Sequence, residues 1–231
     1  MKHIYITLLL FLLASCQQEE PAVATDKGYL FLSSIELQAE TIGQIATRAV
    51  SPDLVIEILK GDGIQVFKFD AGAAEANDKI ELDAGTYKLK AYSPNYGTTW
   101  ENNEQGTPIY YKELDFSIKP EKVNYLAVEV PMVNFGVKLV LPDNFNALFG
   151  SYTFAVQLGS RSVVLQEGET AYFDLPTQNS SALLYTLTAT NSDDETLSKT
   201  DSYSELSAGI VYEITYQWGN EQRMLVTSWV K

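Results

Sequence analysis

Reactive side chains are scarce in this chain. Among its 231 residues there is one cysteine, Cys16, and one histidine, His3. Both lie at the N-terminal end, so everything after residue 16 lacks thiol and imidazole. That excludes a Ser-His-Asp triad, a histidine general base, a thiolate nucleophile, a disulfide and a thiolate or imidazole metal site. No GxxxxGK(S/T) phosphate loop and no GxGxxG turn occurs. Carboxylate chemistry is left: two acids close in space can hydrolyse a glycosidic bond or hold a hard cation. Spacing along the chain does not single out such a pair. The densest run of oxygen ligands is Asn191-Ser-Asp-Asp-Glu195. It lacks the glycine and the alternating spacing of an EF-hand loop, and it reads as a solvated hairpin tip.

A second kind of chemistry is recognition. Tyr92, Tyr96, Trp100, Tyr110 and Tyr111 gather in one segment with Asn95, Asn102, Asn103 and Gln105. Flat rings beside amide donors suit a sugar-binding surface, and a long loop with little pattern of its own is often functional. The same rings would equally tuck under the loop and cap a β-sandwich. The five aromatics are therefore candidate glycan-binding residues, with capping as the competing use.

Cys16 stands at a telling place. Met1-Lys2-His3 is followed by Ile4 to Leu13, apolar apart from Thr7. About 20 apolar residues are needed to span a bilayer, and this run is half that, so it reads as a signal segment. Leu13-Ala14-Ser15-Cys16 resembles the lipobox of bacterial lipoproteins. The resemblance implies that residues 1–15 are a signal peptide, cleaved before Cys16, whose thiol carries diacylglycerol. Two or three acyl chains anchor stably where one does not. An ordinary secretory peptide with a chance cysteine is the alternative. Gln17-Gln18-Glu19-Glu20 resembles the acidic export tag of Bacteroidetes surface lipoproteins and equally suits a plain solvated tether over 16–27. The expected location is the outer membrane, at the cell surface, with a covalent lipid on Cys16 and no other cofactor.

The formal net charge is −14. Loss of residues 1–15 removes Lys2, leaving 15 basic against 30 acidic side chains, a charge of −15. Such a chain is repelled by nucleic acid and by anionic lipid.

The elements that would carry these residues have a period of two. Leu54, Ile56 and Ile58 alternate with Val55, Glu57 and Leu59; Tyr87, Leu89 and Ala91 alternate with lysines. Leu114–Ile118, Val137–Leu141 and Tyr185–Ala189 behave alike, as strands half-buried against a second sheet do. Gly61-Asp-Gly63, Ala84-Gly85, Ser93-Pro-Asn95, Pro142-Asp-Asn144 and Asn191–Asp194 mark turns. A helical turn is expected only at 71–76 or 143–149. Tyr87-Lys-Leu-Lys-Ala91 is echoed by Tyr185-Thr-Leu-Thr-Ala189, and Tyr111-Lys-Glu-Leu114 by Tyr203-Ser-Glu-Leu206. An offset near the size of one sandwich domain points to duplication, against chance similarity of generic strands. The expected architecture is all-β: two tandem β-sandwich (Ig-like or transthyretin-like) domains, 28–133 and 134–231.

Thr47-Arg48-Ala49, the strand from Leu54, Ile80-Glu-Leu-Asp-Ala-Gly-Thr-Tyr87, Ala91-Tyr-Ser93 and Pro108-Ile-Tyr-Tyr111 are similar to a Bacteroidetes lipoprotein family of unknown function. That family resembles the fimbrillins and fimbrial anchor proteins, which carry tandem transthyretin-like sandwiches. The resemblance implies a non-catalytic, structural or adhesive role through protein contacts, with pilin subunits, host surfaces or glycans as partners. It also implies a role for Arg48. Fimbrillins are cut after an arginine in the first domain, and the opened groove accepts a strand from the next subunit. Arg48 follows an expected first strand, Tyr29–Leu37, and is a candidate processing site. Its alternative is an exposed loop arginine. Anchor proteins keep their lipid and stay uncut.

Overall fold

The computed structural model describes residues 26–38, 40–41, 54–73, 76, 78–177, 181–218 and 224–230. The signal segment, Cys16, Gln17–Glu20 and Arg48 lie outside the described residues. In chain order the elements are β1 (Lys27–Gln38), β2 (Glu40–Thr41), β3 (Val55–Lys60), β4 (Gln65–Phe69), β5 (Ile80–Asp83), β6 (Gly85–Tyr92), β7 (Tyr111–Ile118) and β8 (Val123–Pro131). There follow β9 (Phe135–Val140), α1 (Phe145–Leu148), β10 (Phe149–Leu158), β11 (Arg161–Leu165), β12 (Thr170–Phe173), β13 (Leu183–Asn191), β14 (Thr196–Tyr203), β15 (Ile210–Trp218) and β16 (Met224–Val230). The fold is all-β in two sandwiches, as the period of two requires; α1 falls within one of the two expected helical turns.

Alternation carries the burial. Leu54, Ile56 and Ile58 face inward with Tyr87, Leu89 and Ala91, meeting Leu30 and Leu32 of β1 and Val128 and Val130 of β8 in the first core. Val137, Leu139, Phe154, Val156, Tyr185, Leu187, Tyr212 and Ile214 build the second. Turn chemistry breaks the strands where expected. Ile64 N–H donates to Asp62 Oδ1 at 3.0 Å in the β3–β4 hairpin. Asn144 enters α1 at φ 62°, a left-handed conformation that asparagine tolerates.

The duplication is visible in the topology. The first sandwich stacks β5-β1-β8 on β4-β3-β6-β7, and the second stacks β12-β9-β15-β16 on β11-β10-β13-β14. Substituting β9 for β1 and β15 for β8 maps one order onto the other, with β16 added. Each unit also closes with a parallel pair, β1 with β8 and β9 with β15. Tyr87–Ala91 and Tyr185–Ala189 take equivalent places: Leu89 lies opposite Ile58 and Leu114, and Leu187 opposite Phe154 and Lys199. The second sequence echo is corrected. Tyr111 opens β7 opposite Tyr92, whereas Tyr203 closes β14 opposite Leu183, the position that Ile118 holds in the first unit. These are outer strands, where few core contacts enforce a residue pattern.

The two units share chain. β2 follows β1 directly yet pairs in parallel with β15, Glu40 opposite Ile210 and Thr41 opposite Val211.

Candidate functional site

The aromatic segment leaves β6 at Tyr92 and returns to β7 at Tyr111, and its neck is sewn shut. Ser93 N–H donates to Tyr110 O at 3.0 Å, and Tyr110 N–H donates to Ser93 Oγ at 2.7 Å. A Ser93–Tyr96 turn follows, with Tyr96 N–H on Ser93 O at 2.9 Å.

Three of the five aromatic candidates then meet on the outer face of the β4-β3-β6-β7 sheet. Tyr96 stacks on Tyr111 with centroids 4.4 Å apart and planes at 13°, and its centroid is 5.9 Å from that of Tyr92. Tyr92 and Tyr111 are half-buried, and Tyr96 lies on top, 46% exposed. Tyr92 OH donates to Glu57 Oε1 at 2.8 Å, and Tyr111 OH to Glu113 Oε2 at 2.9 Å. Burial first, then these carboxylates, push both hydroxyls up to about 12. Lys88 and Lys90 pair with Glu113, and Lys68 with Glu57. Hydrogen bonds from Lys88 and Tyr111 hold the Glu113 carboxyl below its ordinary range. A carboxyl so held does not store the proton that a glycosidase general acid needs. The groove beside the stack, lined by Lys60, Lys88, Lys90, Glu113 and Asp115, carries both signs of charge.

The other two candidates turn to the seam between sandwiches. Tyr110 packs against the first core, and burial raises its hydroxyl, with Tyr172 adding to the effect. Trp100 lies against Gly106, where φ is 70° and a Cβ would meet Tyr172 O at 3.2 Å and the indole at 3.3 Å. Between them the loop is strapped onto the second sandwich. Asn103 N–H donates to Ser162 O at 2.9 Å, Ser162 N–H to Asn102 Oδ1 at 2.9 Å, and Tyr172 N–H to Gln105 O at 2.7 Å. The loop thus binds the start of β11 and the edge of β12 as an irregular extra strand.

Two residues that composition did not single out hold this strap. Arg161 donates Nη1 to Tyr172 O at 2.6 Å, Nε to Glu101 O at 3.3 Å and Nη2 to Glu104 O, with its guanidinium 4.5 Å from the Phe173 ring centroid. Burial lowers its pKa, opposed by Asp174 and Glu104. Asn134 is 1% exposed between β8 and β9. Its Oδ1 accepts Ile109 N–H at 2.9 Å, its Nδ2 donates to Thr107 O at 2.9 Å, and its carbonyl accepts Gly209 N–H at 2.9 Å. One polar side chain in the apolar run Met132-Val-Asn-Phe135 was the available signal for it. Arg161 had none beyond the rarity of arginine.

The Asn191–Glu195 run is a hairpin tip between β13 and β14. Asn191 Oδ1 accepts the N–H groups of Asp193 and Glu195 at 3.0 and 2.8 Å. Among the described residues, no group of acidic side chains is placed to hold a metal ion. No described helix is long and apolar enough to cross a membrane.

A sequence family described as a domain of unknown function, DUF4493, matches residues 26–228. No curated protein matches the chain. Among solved structures, the chain is similar to a fimbrial assembly protein from Parabacteroides distasonis, with 8% identity, 88% of this chain and 100% of that chain covered, and a TM-score of 0.48. It is also similar to a candidate adhesin from Bacteroides thetaiotaomicron, with 12% identity, 88% and 98% coverage and a TM-score of 0.47. A candidate cell adhesion protein from Bacteroides eggerthii shows 11% identity, 84% and 86% coverage and a TM-score of 0.45.

Proposed function

The chain belongs to this DUF4493 family, and from that premise we propose that it is a non-catalytic surface lipoprotein, structural or adhesive in the manner of fimbrial subunits and anchors. It is held to the outer membrane by lipid on Cys16 and acts through protein contacts. The observation that carries the reading is the placement of β1. This N-terminal strand lies between β5 and β8 and contributes Leu30 and Leu32 to the first core. Its removal would open a groove edged by unpaired backbone and floored by that core, the surface that strand addition needs. Arg48 follows β1 and is the proposed cut site. Arg161, with its guanidinium bound to three carbonyls, presents a poor alternative to a protease.

The test is twofold. Radiolabelled palmitate should enter the wild-type protein and not Cys16→Ser. An arginine-specific protease should cut after Arg48 and release polymerisation or pilin binding, with Arg48→Ala failing to do so; an anchor would resist the cut and copurify with pilin. Absence of both pilin association and polymer formation would sink the reading.

A second reading has its own observation. The Tyr96 ring, exposed on top of its stack with Tyr111 and beside charged hydrogen-bonding groups, suits a pyranose ring. Tyr96→Ala should then abolish retardation in polysaccharide affinity gels. Trp100→Ala should act there only through the seam. Undiminished retardation of Tyr96→Ala removes this reading.

A further inference from the structure

Independently of that reading, we propose that β14 is a self-pairing edge: two copies of this chain associate by antiparallel addition of β14 to β14 about a two-fold axis at Thr200. β14 ends its sheet, and among the described residues no strand lies on its outer side. It is eight residues long, and all but Leu197 and Tyr203 are exposed. β4, β5 and β16 are shorter, at five, four and seven residues, the nine-residue β8 ends in Pro131, which has no N–H to donate, and β11 and β12 receive the strap. Its counterpart β7 is bridged at one end, Tyr110 to Met132.

The pairing phase of β14 can be read from its inner side. Asn191 N–H donates to Glu195 O, so that facing pair is hydrogen-bonded, and the pairs alternate from there. Thr186 and Thr200 then face each other without backbone bonds, which brings their hydroxyls to 2.9 Å. Thr196, Ser198, Thr200 and Ser202 must therefore turn their N–H and C=O groups to the free edge. Ser202 N–H agrees, since it is capped by Asp201 Oδ1 at 2.8 Å.

The side chains pair complementarily about Thr200 in Leu197-Ser-Lys-Thr-Asp-Ser-Tyr203. With the axis there, Lys199 faces Asp201 of the second copy, and the reciprocal pair forms by symmetry. Ser198 faces Ser202, and Leu197 faces Tyr203. Thr200 exchanges both backbone bonds with itself. A slip of two residues sets Lys199 against Lys199 or Asp201 against Asp201, and a slip of one exchanges the faces. The charges thus select one register. The outward side chains of β14 are all threonine or serine, so the outer face of the strand itself sets no like charges against each other when two copies meet. In the single copy Asp201 guards the edge by capping Ser202; on pairing, Ser198 of the second copy takes that N–H and Lys199 takes the carboxylate.

The test uses residues 17–231, which keep every described strand and drop the only cysteine. Sedimentation from micromolar to sub-millimolar concentration, at an ionic strength where the Debye length is about 8 Å, should show a reversible dimer. Lys199→Asp should weaken it about tenfold, and Lys199→Asp combined with Asp201→Lys should restore it. Thr200→Cys should form a disulfide dimer, its Cα atoms standing about 5.5 Å apart. Ser198→Cys should not, its two copies lying about 13 Å apart along the strands. Both sites are exposed, and an unchanged circular-dichroism melt confirms the fold. A chain monomeric throughout, a dimer indifferent to Lys199→Asp, or Ser198→Cys cross-linking as readily as Thr200→Cys would overturn the proposal.

Discussion

Arg161→Ala should unstrap the loop from the second sandwich. The bond to the half-buried Tyr172 carbonyl is charge-assisted and worth about 1.5–3 kcal/mol. The bonds to Glu101 and Glu104 are exposed and add on the order of 0.5 kcal/mol each. Contact with the Phe173 face adds about 0.5–1 kcal/mol. The sum is about 3–5 kcal/mol, which lowers Tm by about 6–20 °C if the two units melt together. The lower end of that range is about a hundredfold in an opening equilibrium, so hydrogen exchange at the Asn103 and Tyr172 amides should quicken by at least about that factor. Arg161→Lys keeps the charge and loses the fork that reaches three carbonyls, so it should fall between. The measurement is differential scanning calorimetry with exchange mass spectrometry on 100–107 and 170–173. A variant melting within about 1 °C of the parent, with both amides as protected as before, refutes the strap.

Gly28→Ala should destabilise by about 1–3 kcal/mol in urea, because a Cβ there runs into the Lys119 carbonyl and Ile118 Cγ2. Leu89→Ala and Leu187→Ala remove equivalent, fully buried side chains from the two cores and should each cost about 2–5 kcal/mol; a single shared transition in both variants would show the seam coupling the units, and two separated transitions would show it weak. The Tyr92 and Tyr111 hydroxyls ionise near 12 in the fold and near 10 in an unfolded chain. Their contribution is fully present below pH 10 and is lost as pH rises through about 12. Phenolate absorbance and alkaline melts should show this, with a shallower loss of stability in Tyr92→Phe/Tyr111→Phe.

Strands and cores were legible because each strand has one wet and one dry face, and Ile56, Leu89 and Leu187 declare it. Pairing was not. A period of two is blind to partners, so neither the parallel β1–β8 and β9–β15 closures nor the crossing of β2 to β15 could be read from it. The aromatic segment was legible as special and illegible in its division. Rings that stack outside, such as Tyr96, and rings that fill a seam, such as Trp100, have the same composition. The amides of Asn102 and Gln105 look like ligand donors in sequence, yet their side-chain and backbone oxygens satisfy β11 and β12. Asn134 was readable in principle, since a lone amide among apolar residues is costly unless saturated.

The parallel pairing of β1 with β8 runs from Tyr29–Val123 to Gln38–Pro131. Tension drawn through the N-terminal end therefore pulls β1 lengthwise along β8. Its cross-strand bonds then bear the load in shear, all together, instead of parting one after another like a zipper. If the chain is tethered at Cys16 as proposed and tugged from beyond, the first strand would be the fastening that resists detachment.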